Sequence, residues 1–145
     1  MPYRFPIVAW LLLMAAPTQA EDSFPYTLSW ARRLSLRPVT AIVEAGSLTI
    51  IAQVDGRLTA LNSADGKMVW RRRPGGPLDS ALIASDELIF YADRFGEVGA
   101  VRVEDGASVW ELRRAGWGSC KLQLAGDLLL VAAGDQILYA IDVTS

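Results

Sequence analysis

Histidine is absent from the 145 residues and cysteine occurs once, at position 120. Without histidine the chain lacks the commonest general base and the commonest metal ligand, which points away from an enzyme. A single cysteine rules out an intramolecular disulfide, so stability has to come from burial. Cys120 reads as a small buried residue at a strand start, with Ser80 in the equivalent place forty residues earlier. A reactive thiol or an intermolecular bridge is the alternative. Charge excess is missing too: 14 Lys and Arg face 16 Asp and Glu. Bulk attraction to nucleic acid is therefore not expected, and no nucleic-acid motif is present.

Long hydrophobic runs are also missing. The longest, "IVAWLLLMAA" at 7–16, is too short to span a bilayer comfortably. Preceded by Arg4 and followed by Thr18-Gln19-Ala20, it reads as the core of an export signal over 1–20 with cleavage after Ala20. The mature chain, 21–145, is then expected in the periplasm or another extracytoplasmic compartment with no stable membrane span. An uncleaved anchor is the alternative, and the absence of cysteine near Ala20 removes a lipoprotein-type attachment.

What the chain does contain is a repeat. Trp30, Trp70 and Trp110 lie forty residues apart, as do Ala60, Ala100 and Ala140. Gly56 matches Gly96, Asp65-Gly66 matches Asp105-Gly106, and the apolar runs "LTIIA", "LIFYA" and "LLLVA" fall in the same register. A gapless repeat of this kind decides the architecture. Each unit divides at turn residues into four short strands, near 39–43, 48–52, 57–62 and 67–71 in the first complete copy. The second strand is apolar at almost every position, so both of its faces are expected to be covered. Asp65-Gly66 and Asp105-Gly106 suit tight turns into the fourth strand. Four strands in about forty residues are the signature of a β-propeller blade.

Ala60-x-Asn62-x-x-Asp65-Gly66-Lys67-x-x-Trp70 resembles the tryptophan-docking motif, A-x-D-x-x-T-G-K-x-x-W, of the PQQ-like (quinoprotein-type) β-propeller repeat family. Ala100 to Trp110 repeats it with Arg102 in place of the aspartate and Ala107 in place of the lysine. The third copy keeps Ala140 and Asp142. The resemblance implies that Ala60, Gly66, Trp70, Ala100, Gly106 and Trp110 are structural, each outer-strand tryptophan packing against a neighbouring blade. Ligand stacking by the same tryptophans is the sharper alternative, disfavoured because they recur at one position of the repeat.

The expected fold is all-β, a partial propeller of four-stranded blades: a lone outer strand around Trp30, two complete blades, and three strands of another. Closure takes roughly four to eight blades, so the remaining blades of a longer propeller or a second copy of the chain are needed to complete a ring. The organisation is similar to the N-terminal part of the propeller lipoprotein of the bacterial outer-membrane β-barrel assembly machinery. That likeness implies a non-catalytic exported module that binds or scaffolds protein partners, with outer-membrane protein assembly as one setting. The alternative is the N-terminal fragment of a PQQ-dependent dehydrogenase. PQQ and calcium are expected only under that alternative, because the adjacent cysteine pair of such enzymes is missing. Glu44, Asp86, Glu87 and Asp127 sit beside expected turns without metal-loop spacing. Arg71, Arg72, Arg73, Arg113 and Arg114, with Arg32 and Arg33, are expected to follow outer strands along one rim, a candidate surface for an acidic partner or anionic headgroups. Asp55 and Asp93, on loops of the same face, are expected to neutralise it.

Overall fold

The computed structural model describes residues 27–34, 42–78 and 82–144. The expected signal segment and Ser80 lie outside the described residues. Antiparallel pairing joins β1 (Val43–Ala45), β2 (Leu48–Ala52), β3 (Leu58–Asn62) and β4 (Met68–Arg72) into the first blade, in that order. A second four-stranded blade comprises β5 (Ile83–Ala84), β6 (Leu88–Ala92), β7 (Glu97–Arg102) and β8 (Ser108–Arg113), and a three-stranded one β9 (Lys121–Ala125), β10 (Leu128–Ala132) and β11 (Leu138–Asp142). No described helix is long and apolar enough to cross a membrane.

The strand pattern follows from the repeat with one displacement. The first strand, expected over 39–43, is Val43–Ala45, because Ala45 pairs with Leu48 across a turn at Gly46 and Ser47. Residues 39–41 lie outside the described residues. The first strands β1, β5 and β9 lie side by side, which makes them the inner edge of the arc and leaves β4 and β8 outermost.

Two apolar layers separate the three blades. Ile50, Ala52, Leu58 and Ala60 of the first blade meet Ile89, Tyr91 and Val101 of the second. Phe90, Ala92, Val98 and Ala100 of the second meet Leu122, Leu129 and Val131 of the third. Strands β2 and β6 thus have buried residues on both faces, whereas in β10 Leu129 and Val131 are buried while Leu128 and Ala132 are exposed. The third blade is covered on one side only.

A register shift between Ala60 and Leu61, repeated between Ala100 and Val101, lets Trp70 face Ala60 and Trp110 face Ala100 while Val69 and Val109 drop out of the pairing. These bulges turn each tryptophan toward the next blade and leave the two valines half exposed.

Candidate functional site

The bulged outer strands carry the contact that joins blades. Trp70 is buried, and its Nε1–H donates to the Val103 carbonyl of the second blade at 2.8 Å. Gly106, at φ +69°, lies beneath the ring, where a Cβ would come within 2.7 Å of it. Only glycine meets both demands, a left-handed backbone and no side chain. The same pair recurs one blade earlier: Trp30 Nε1–H donates to the Ser63 carbonyl at 2.9 Å, and its ring covers Gly66 at φ +68°. Residues 27–34 therefore dock as an outer strand does, although they pair with no strand among the described residues and are not counted as one. A strand needs a neighbour, and the third strand of a preceding blade would be that neighbour. Trp110 stays half-buried, tilted against Phe90 at 6.1 Å between ring centroids.

Asp65 and Asp105 shape the turns that receive these tryptophans. Each carboxylate accepts the backbone N–H two residues on, Lys67 at 2.9 Å and Ala107 at 3.0 Å. Those hydrogen bonds hold both pKa values below the ordinary aspartate value, with help from Lys67 and Arg102 respectively.

At the opposite end of the blades a second tie involves Asp93, a residue whose role the repeat did not reveal. Its fully buried carboxylate accepts the N–H groups of Phe95, Glu97 and Gly76 at 2.8, 2.9 and 3.1 Å. Gly76 belongs to the connector between the first two blades, so one side chain shapes the β6–β7 turn and clamps the connector to it. Close packing of Gly56 against the carbonyls of Gly75 and Gly76 completes the join. Beside it, Tyr91 lies over Gly99, and its hydroxyl reaches Glu97 at 3.5 Å. Burial foremost, then the charges of Glu111, Glu97 and Asp93, pushes the Tyr91 phenol far above its usual pKa. Burial also raises Glu97, followed by Asp93 and Glu111, against a smaller opposing effect of Arg113.

The outer strands run slightly further than expected. Arg71, Arg72 and Arg113 lie within β4 and β8, and only Arg73 and Arg114 follow a strand. All five side chains are exposed, as are Arg32 and Arg33. Of the acids expected to neutralise the rim, Asp93 is committed to backbone amides and Asp55 pairs with Arg57 at 3.0 Å. Arg113 approaches Glu97 at 3.5 Å, and Arg114 lies over the Tyr139 ring at 5.2 Å. Arg33, Arg71 and Arg73 pair with no carboxylate among the described residues. Arginine recurs at 33, 73 and 113, the same place in three successive outer segments. The outer edge of the arc is positively charged at one end of the blades.

At the other end a cleft of about 770 Å³ lies between the first two blades, with Asp86, Glu87, Arg102 and Glu104 on its walls. The described residues bring together no group of three His, Cys, Asp or Glu that could hold a metal. The Cys120 thiol is buried and donates toward the Gly118 carbonyl at 3.5 Å.

A family model described as "Outer membrane protein assembly factor BamB", of the PQQ repeat type, matches residues 54–145. The chain belongs to this family. No curated protein matches the sequence. Among solved structures, BamB from Moraxella catarrhalis superposes with a TM-score of 0.70 at 18% identity, covering 81% of this chain and 38% of that one. The computationally designed Ika4 protein gives a TM-score of 0.62 at 10% identity, with 70% of this chain and 64% of that one covered. Identities this low bear on the fold alone, and the chain spans well under half the length of the BamB it resembles. The all-β, partial-propeller expectation agrees with these structures.

Proposed function

We propose that the chain is a non-catalytic, extracytoplasmic propeller module that binds protein partners in outer-membrane protein assembly, with its arginine-rich outer edge as the contact surface. The observation that carries this reading is the match to the assembly-factor family over the blades, together with the exposed arginines 33, 71 and 73, which pair with no carboxylate among the described residues. Desolvating an unpaired guanidinium against a partner's carboxylate supplies a bidentate, oriented contact. Unpaired edge arginines also discourage edge-to-edge association of the blades themselves. The reading needs no cofactor.

Photo-crosslinking groups at Arg73 and Arg113, placed in the exported chain in cells, test it. Adducts with outer-membrane assembly proteins, lost when Arg71 and Arg114 are changed to glutamate, are expected. Saturable binding of PQQ with calcium, accompanied by alcohol or sugar oxidation, would overturn it in favour of the dehydrogenase reading.

A further inference from the structure

The cleft of about 770 Å³ has a complete four-stranded blade on either side. Val103, on its wall, is held twice: its N–H donates to the Glu87 carbonyl at 2.8 Å, and its own carbonyl accepts the Trp70 indole N–H at 2.8 Å. The contact that joins the blades therefore also fixes the cleft. Leu48 and Leu88 add apolar surface from the two blades, and Val109, 52% exposed, adds more where the bulge drops it out of the pairing. Beside this surface stand Asp86 and Glu87, on the β5–β6 turn, and Glu104, on the β7–β8 turn, all exposed. None of the three pairs with a cation among the described residues, and Arg102 at the same cleft is committed to Asp105 at 3.1 Å. The described carboxylates do not converge into a group that could hold a metal, so a long organic cation suits them better than an ion.

We infer that this cleft binds a segment of a protein partner that carries lysine or arginine beside apolar residues. The long stem of such a side chain lies along Leu48, Leu88 and Val109 while its charged head reaches the carboxylates of Asp86, Glu87 and Glu104. An exposed ion pair is weak by itself, so the apolar contact supplies the strength and the carboxylates select the sign of the charge. A cleft of this size accommodates several side chains of a short segment. Because Val103 is already fixed by Trp70 and Glu87, binding has little ordering to do on this side. The cleft lies at the other end of the blades from Arg73, which makes it a contact separate from the arginine edge. The chain then offers opposite charges to partners at its two ends, and failure of this inference leaves the proposed function standing.

The probe is a short fluorescent peptide of alternating leucine and lysine, titrated with the chain and followed by anisotropy. Saturable binding is expected, with none for the leucine–glutamate counterpart and only weak competition from spermine, which has the charge without apolar side chains. Glu87→Lys combined with Glu104→Lys should weaken binding at least about tenfold. Asp127→Lys combined with Asp142→Lys, an equal change of net charge outside the cleft, should leave it unchanged. On the unsubstituted chain labelled with nitrogen-15, the peptide should shift the amide signals of Leu48, Leu88, Val103 and Val109, a readout independent of whether the variants fold. No saturable binding, equal losses in the two double variants, spermine competing as well as the unlabelled peptide, or amide shifts confined to other residues overturns the inference.

Discussion

Among single residues, Trp70 has the largest expected effect on stability. It fills the space between the first two blades and commits its indole N–H to Val103. Trp70→Ala is expected to cost about 3–5 kcal/mol, whereas Arg71→Ala, at an exposed site without an ion pair, should stay within about 0.5 kcal/mol of the parent. Urea melts of both variants measure the difference, and equal losses would remove the docking assignment. Glu97 gives a pH-dependent test. Its pKa is raised in the folded chain, so folding favours its protonated form. That contribution is complete below the ordinary glutamate range and is lost as pH rises through the folded value. Stability should therefore fall less steeply across this window in Glu97→Gln than in the parent, as followed by urea midpoints at a series of pH values. The same or a steeper decline in the variant would mean that burial does not dominate at this carboxyl.

At the scale of the element, Asp93 joins a turn to a connector. Asp93→Ala removes three hydrogen bonds to a carboxylate, and each such bond is worth about 1.5–3 kcal/mol. Hydrogen exchange should quicken at the amides of Gly76, Phe95 and Glu97 while Lys67 and Ala107, at the far end of the blades, keep their rates. Uniform acceleration would place the effect in global unfolding instead of the clamp. Little of this was legible beforehand, because Gln53 and Ala133 occupy the equivalent positions and share no chemistry with Asp93. The repeat reveals conserved geometry between copies, and Asp93 is where one copy departs. A related exchange is hidden for the same reason: the second blade places Tyr91 over Gly99, while in the third Val131 stands opposite Tyr139, so the aromatic ring comes from the other strand. The second, third and fourth strands were readable because turn glycines and the docking tryptophan bracket them. The first strands were not, since β1 and β5 have only three and two residues and carry no period. The outer strands end one residue later than expected in β4 and two later in β8, because a bulge beside each tryptophan carries the strand further than its apolar pattern does.

For the whole molecule, the account is an arc of blades in which each outer strand belongs to one blade by hydrogen bonding and to the next by its tryptophan. The arc carries exposed arginines along its outer edge, a surface that suits a partner's carboxylates. The account rests on residues 27–34 being an outer strand docked on the first blade as β4 docks on the second. Hydrogen exchange of the indole N–H protons, observed by NMR on the chain labelled with nitrogen-15, tests that most directly. Trp30 and Trp70 should both exchange slowly; Gly66→Val should release Trp30 alone, and Gly106→Val Trp70 alone. A Trp30 indole proton that exchanges as fast as free tryptophan while Trp70 stays protected would contradict the account.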